Sequence, residues 1–218
     1  MMRNDLKAFL LCVVAVCWSV PAFGQEAVVA VPQYYGLDHA TVEYEISGAE
    51  KGKEILYFDQ WGMRQANYKS AETLKSGFAN TINFNFSGDI MFVDPNKTLG
   101  QKKQDVIFKK LLADPQAISK GLLSLQSVEI SGGKKIGEEN ILNHVCEVWN
   151  MSALKTKLWL WQGIIMRSEV TTDQGVVKYN AIKIDEVTVI DEAIFTVPPG
   201  INFIDRDIMQ ILISKRVL

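Results

Sequence analysis

Few residues in this chain have the chemistry to act as catalysts. It holds two histidines, His39 and His144, and three cysteines among 218 residues. Cys146 follows His144 by two positions, and on one strand such residues share a face, about 7 Å apart along the backbone. A thiol nucleophile with an imidazole base could be built at that spacing, but no orienting acid is evident. The plainer reading makes Cys146 a small buried apolar side chain beside Val148. Asp59, Asp94 and Asp173 stand beside turn positions, where Asp serves local hydrogen bonds. Glu138-Glu139 reads as a solvated loop, and Gly132-Gly133-Lys134-Lys135 as a basic hairpin tip rather than a phosphate cradle. There is no G-x-S-x-G elbow, no H-E-x-x-H, no P-loop and no dinucleotide fingerprint. The expectation is therefore no catalytic residue, no metal ligand set, no cofactor and no enzyme activity, with a hydrolase using Cys146 and His144 as the minor alternative. Asn85, Asn96 and Asn150 match the glycosylation acceptor pattern, which matters only in a eukaryotic secretory pathway.

The aromatic residues are more informative. Trp149, Trp159 and Trp161 fall on two neighbouring predicted strands, Phe84 and Phe86 share a face of another, and Tyr57 and Phe58 point to opposite faces of a third. In Lys157-Leu158-Trp159-Leu160-Trp161-Gln162 both faces are apolar. A strand of that kind must be covered on both sides, by helix, partner or ligand. Ordinary core packing is one cover. The other is an apolar cavity that binds acyl chains by burying area at about 25 cal/mol per Å². The candidate lining is Phe58, Phe84, Phe86, Phe92, Trp149, Trp159 and Trp161. Ile107, Phe108, Leu111, Leu112, Ile118 and Leu122 are the candidate lid.

The elements that must position these residues are mostly strands. Thr41 to Ser47 alternates with period two, and Thr81 to Phe86 does so again. Lys53–Trp61, Met63–Lys69 and Ile90–Val93 are further strands, with Asp59-Gln60-Trp61-Gly62 as a hairpin turn. The period changes between Lys102 and Ala113, where Val106, Ile107, Phe108, Leu111 and Leu112 recur at helical spacing. Asp114-Pro115 starts a second helix reaching about Leu125. Strands return at Gln126–Ser131, Lys134–Gly137, Ile141–Asn150, Lys155–Trp161, Ile164–Thr171, Gly175–Ile184 and Glu186–Thr188. Pro198-Pro199-Gly200 closes the sheet, and Ile204, Ile208, Ile211 and Leu212 mark an amphipathic C-terminal helix ending near Lys215 and Arg216. The fold class is mainly β (α+β): a strongly curved antiparallel sheet whose concave face the inserted helix pair covers, followed by a C-terminal helix.

Location is written at the N-terminus. Residues 1–24 have the form of a cleaved signal peptide: Arg3 and Lys7, an apolar run from Ala8 to Val20, then Pro21 and a small-residue site ending at Gly24. Thirteen apolar residues are short against the roughly 20 a membrane span needs. Val16 before Cys17 and Leu11 before Cys12 fit a lipidation site poorly. Cys146 is the one cysteine beyond the leader. Residues 25–218 read as a single domain, exported and soluble. A net charge of −2 and pI of about 5.8 argue against nucleic acid as partner, and no later stretch reaches the 18 apolar residues of an integral membrane protein.

Two stretches carry a resemblance. One is Glu54-Ile55-Leu56-Tyr57-Phe58-Asp59-Gln60-Trp61-Gly62-Met63-Arg64. The other runs from Ile136 to Trp149 and continues from Lys157 to Glu169. They resemble exported bacterial proteins similar to the periplasmic lipoprotein-carrier (Lol) superfamily and outer-membrane lipoprotein-sorting-like proteins, with Asn143 standing where that pattern has Gly. The resemblance implies that residues 25–218 are a single half-barrel domain in the periplasm of a Gram-negative-type bacterium: a strongly curved antiparallel sheet forming an incomplete β-barrel, with the inserted helix pair as lid, whose cavity takes lipid or lipoprotein acyl chains. No functional residue is carried over from it. The leading expectation is a non-enzymatic periplasmic binding protein for a lipid or acylated lipoprotein. The alternative is an envelope interaction or sensor protein, with a self-filled core, that acts on an envelope protein through its surface.

Overall fold

The structure is a computed structural model and describes residues 30–73 and 77–204. The leader expected at residues 1–24 lies outside the described residues, as does the C-terminal helix expected from Ile204, except for Ile204 itself, which ends a short strand, Asn202–Ile204, rather than opening a helix.

Six strands come first: β1 (Ala40–Gly48), β2 (Glu50–Asp59), β3 (Arg64–Thr73), β4 (Gly77–Phe86), β5 (Asp89–Asp94) and β6 (Leu99–Gln104). Three short helices follow, α1 (Val106–Leu112), α2 (Pro115–Lys120) and α3 (Leu123–Ile130). Then come β7 (Lys134–Ile141), β8 (His144–Met151), β9 (Thr156–Trp161), β10 (Ile164–Thr172), β11 (Gly175–Asp185) and β12 (Asn202–Ile204). All strands join one sheet in the order β12-β6-β5-β4-β3-β2-β1-β11-β10-β9-β8-β7. Neighbours are antiparallel except β12, which runs parallel to β6. The sheet is not closed into a barrel: β12 and β7 are its two edges. The architecture is thus mainly β, an open, half-barrel-like antiparallel sheet with an inserted helical segment.

Tight turns set the registers. Ser87-Gly88, Leu142-Asn143 and Gln162-Gly163 are two-residue hairpin loops with positive φ at both positions, the backbone that matches strand twist. Gln60, Trp61 and Gly62 form the expected hairpin turn between β2 and β3, again at positive φ. Bulges between Glu43 and Tyr44, Ile165 and Arg167, and Lys135 and Gly137 interrupt the ladders and add local twist.

Several expected boundaries are corrected. The helix expected from Lys102 starts at Val106, because Lys102, Lys103 and Gln104 pair with β5 and Asp105 caps the helix, accepting from the Phe108 amide at 2.9 Å. Gln126–Ser131, expected as a strand, is the body of α3. There Leu125 and Val128, three apart, pack on Trp149, Met151, Leu158 and Leu160, and that spacing outweighs the alternation of Val128 and Ile130. The insert therefore holds three helices rather than two. Leu142-Asn143 divides the strand expected over Ile141–Asn150, and Glu138-Glu139 lies within β7 rather than in a loop. Glu186–Thr188 is a turn, held by the Asp185 carboxylate, which accepts from the Val187 and Thr188 amides at 3.0 Å each. Pro198-Pro199-Gly200 leads into β12 instead of ending the sheet.

Cross-strand register divides the side chains between two faces. Ala40, Phe58, Gln65 and Asn85 stand in line across β1 to β4, and Thr41, Tyr57, Ala66 and Phe84 form the adjacent line, which points the opposite way. On the face bearing Phe58, here the inner face, Tyr35, Val42, Tyr44, Leu56 and Phe58 pack in one cluster with Cys146, Val148, Trp159, Ile164 and Met166. On the outer face Ala66, Ile82, Phe84 and Val93 are covered by Phe195 and its neighbours between Ile190 and Phe203. The stretch Gln33–Asp38 ties the helices to the hairpin tips. The amides of Leu123 and Ser124 donate to the carbonyls of Gln33 and Tyr34, those of Tyr34 and Tyr35 to Trp61, and that of Gly36 to Gln162.

Candidate ligand-binding site

Strand parity selects the residues of the inner face. Along β2, Glu50, Gly52, Glu54, Leu56 and Phe58 share it. Tyr44 stands opposite Glu54 on β1, and Lys69 opposite Glu54 on β3. Tyr179 of β11 lies across from Ile46, two residues along β1 from Tyr44. Together with Tyr35 these strands enclose a hollow of about 360 Å³ lined by Tyr35, Tyr44, Glu54, Leu56, Gln65, Asn67, Ile165, Ser168 and Tyr179.

Hydrogen bonds fix its walls. The Tyr44 hydroxyl donates to the Ile165 carbonyl at 2.8 Å, so that ring crosses from β1 to β10. The Tyr35 hydroxyl donates to Gln65 Oε1 at 3.2 Å, and Gln65 Nε2 donates to the Gly62 carbonyl at 2.7 Å. Lys69 Nζ donates to Glu50 Oε2 at 2.8 Å and to the Tyr179 hydroxyl at 2.7 Å. It also sits 5.2 Å from the Tyr179 ring centre. The Glu54 carboxylate accepts no hydrogen bond among the described residues, although Lys69 is its direct cross-strand neighbour.

Burial sets the electrostatics. It pushes the Glu54 carboxyl above its ordinary range; Lys69 opposes that rise and Glu50 adds to it. The Tyr35 and Tyr44 hydroxyls are raised for the same reason and stay protonated. For Lys69 burial pulls downward, but the bonds to Glu50 and Tyr179 outweigh it and the ammonium is held charged.

A second hollow of about 360 Å³ continues along the inner face. It is lined by Lys69, Thr81, Asn83, Phe92, Val93, Asp94, Lys97, Leu99, Gly100, Gln101 and Ile204. Its surface is the more apolar of the two, and Asn83 Oδ1 is buried with no hydrogen-bond partner. Lys69 and Tyr179 form the bridge between the two hollows.

The seven aromatic residues chosen from the sequence are not brought together. Phe58, Trp159 and Trp161 belong to the inner cluster. Phe84 and Phe86 are on the outer face under Phe195, and Trp149 packs beneath α3. Phe92 lines the second hollow. Among the lid residues, Phe108 and Leu111 are buried beside Tyr34 and Met63, with Ile107 and Leu112 against them; Ile118 and Leu122 are half-buried. Both faces of β8 and β9 are covered, one by α3 and one by the inner cluster.

Cys146 is fully buried beside Val148, and burial pushes its thiol up. Its sulfur lies 3.5 Å from the His144 carbonyl rather than the ring, while the His144 ring stacks on Trp161 at 3.8 Å. The turn aspartates have structural partners: Asp59 accepts from Arg64 Nε at 2.8 Å and Asp94 pairs with Lys97 at 2.8 Å. Lys135 bridges Glu138 and Glu147, and Glu139 pairs with Arg167 and accepts from Trp159 Nε1. Among the described residues no helix is long and apolar enough to cross a membrane.

Sequence reading missed Glu54, Tyr44, Gln65, Asn67, Ser168 and Tyr179. The available signal was parity: a carboxylate at the positions two and four before the buried Leu56 and Phe58 belongs to their face.

No family model matches the chain, and no curated protein matches it in sequence. Solved structures resemble it in shape. An uncharacterized conserved protein from Thermus thermophilus is 8% identical over 77% of this chain and 90% of its own, with TM-score 0.48. The Mycobacterium tuberculosis lipoprotein LppX is 12% identical over 72% and 91%, with TM-score 0.36. A putative outer membrane lipoprotein-sorting protein domain from Vibrio parahaemolyticus is 9% identical over 72% and 89%, with TM-score 0.32.

Proposed function

We propose that this protein is an exported, non-enzymatic binding protein that holds a lipid, or the acyl part of a lipidated partner, on the inner face of its sheet. The carrying observation is the pair of adjacent hollows on that face, each about 360 Å³ and so within the range of small-molecule sites. One is mainly aromatic and polar. The other offers Phe92, Leu99 and Ile204 to a hydrocarbon chain. Such a pair suits an amphiphile, with its chain in the second hollow and its polar end in the first. Binding rests on burial of apolar area, and the ligand is sequestered rather than transformed. The leader at residues 1–24 directs the protein to the periplasm. The helices act as the lid: α3 holds Gln33 and Tyr34 through backbone hydrogen bonds, so its displacement would pull on the adjoining Tyr35 at the wall of the first hollow. A partner or membrane that binds the open state better would drive release.

Native mass spectrometry of the protein purified from its own envelope, followed by organic extraction, tests this reading. A co-purifying lipid or acylated peptide, displaced by Phe92→Asp in a folded variant, is the expected result. A clean apo mass, with no uptake of added fatty acid or lipopeptide, would overturn it. The self-filled inner cluster of Phe58, Trp159 and Met166 favours a second reading, an interaction protein acting through its surface. That reading expects partner capture that Phe92→Asp leaves unchanged.

A further inference from the structure

We propose that the first hollow is a receptor for an organic ammonium group, with Glu54 as its counter-ion and Tyr35, Tyr44 and Tyr179 as its aromatic walls. The inference deepens the binding role above by naming the polar end of the ligand, and it rests on that reading for the apolar end.

The wall already holds one ammonium. Lys69 Nζ lies between the Glu50 carboxylate and the Tyr179 hydroxyl, over the Tyr179 ring. Glu54 repeats the carboxylate two inner-face positions further along, past Gly52 and beside Tyr44, but no cation is hydrogen-bonded to it among the described residues. Its cross-strand neighbour Lys69 gives its hydrogen bonds to Glu50 and Tyr179 instead. A carboxylate partly withdrawn from water without a hydrogen-bond donor is costly, and an incoming cation offsets that cost. Aromatic faces add to the attraction. Lys69 is the one ammonium beside this hollow, and two carboxylates, Glu50 and Glu54, share it, so a carboxylate or phosphate end would meet a net negative charge. Tyr35 and Tyr44 are tied to Gln65 and Ile165, so their rings are ordered before the ligand arrives.

The charge on Glu54 is set from all sides of the hollow. Glu50 on its own strand and Lys69 on β3 are the ionised neighbours. Tyr44 on β1, Tyr179 on β11 and Tyr35 from the N-terminal stretch face it as neutral phenols. An ammonium ligand stabilises the ionised carboxylate, so its affinity must fall as acid protonates Glu54, whereas a neutral amphiphile binds independently of that proton.

Isothermal titration calorimetry of the full mature protein, below micellar concentrations, tests the assignment. The probes are tetradecyltrimethylammonium, tetradecyl maltoside and tetradecyl sulfate, with tetramethylammonium as the tail-less control. At mildly alkaline pH the ammonium amphiphile should bind about ten-fold tighter than the maltoside. Glu54→Gln, which keeps the shape of the side chain, should abolish that preference while maltoside affinity stays. Tyr44→Phe should retain it and Tyr44→Leu weaken it. Equal affinity for all three amphiphiles, or a preference that survives Glu54→Gln, overturns the ammonium assignment and leaves the lipid reading standing. Binding of tetramethylammonium alone, sensitive to Glu54→Gln, supports the ammonium site while removing the case for a tail. No binding by any probe overturns both.

Discussion

At the scale of single residues, the energetics separate side chains that fill the protein from those that line its hollows. Phe84 is fully buried against Tyr68 and Phe86, so Phe84→Ala should cost about 3–5 kcal/mol in chemical denaturation. Phe92 is half-buried under the Lys103 ammonium, and Phe92→Ala should leave stability within about 1 kcal/mol while weakening ligand uptake. Glu54 gives a pH prediction. Its folded-state carboxyl is raised above the ordinary 4.5, so the folded chain binds the proton more tightly than the unfolded one. The resulting stabilisation is complete below the ordinary value and is lost as pH rises through the raised one. Glu54→Gln should therefore melt higher than the parent at alkaline pH without ligand, and the advantage should vanish in acid. An advantage that is constant with pH would refute burial as the cause.

At the scale of elements, turns and short contacts decide how strands meet helices. Gly163 sits at φ +77, and a Cβ there would lie 2.1 Å from Ser124 Oγ of α3. Gly163→Ala should destabilise by about 2 kcal/mol and speed amide exchange in α3 together with the tip of the β9–β10 hairpin. Leu142-Asn143 makes the same kind of loop with φ of 50 and 66. Asn tolerates that region, but Leu is strained in it. Replacing the pair by Asn-Gly should stabilise by about 1 kcal/mol, read as a shift in denaturation midpoint at constant slope. The edge strand β7 is exposed along nearly its whole length, yet Lys134, Lys135, Glu138 and Glu139 charge it, a device that discourages edge-to-edge association.

For the whole molecule, the question is what holds an open sheet in one shape. The helices and the stretch Gln33–Asp38 fasten one end through hairpin-tip carbonyls. Arg64 fastens the outer face. It pairs with Asp59 at the end of β2 and with Glu192 in the C-terminal stretch, and its guanidinium lies 4.4 Å from the Phe195 ring centre. These bonds raise the Arg64 pKa, and the pairing holds Glu192 below the usual carboxylate range. Arg64→Ala should leave the inner cluster intact and expose residues 194–203 to hydrogen exchange. If exchange rises uniformly instead, Arg64 supports the global fold rather than this strap.

Local patterns determined much of this protein. Alternation over Thr41–Ser47 and Thr81–Phe86, the Gly62 and Gly163 turns, and the Asp-Pro helix start are short-range chemistry, and each element forms where that chemistry points. The two-sided apolar character of Lys157–Gln162 also foretold that β9 is covered on both faces. Tertiary structure decided the rest. Gln126–Ser131 fits strand and helix periods alike, and packing against Trp149 and Leu160 selects the helix. Which face of each strand is inner depends on register across β1 to β4 and on three bulges, none of them local quantities. Phe58 and Phe84 thus read alike in sequence and point opposite ways. Glu54 read as an ordinary strand carboxylate. Only the juxtaposition of β1, β2, β3 and β11, with the Lys69 hydrogen bonds given to Glu50 and Tyr179, leaves its carboxylate beside a hollow without a hydrogen-bond donor among the described residues.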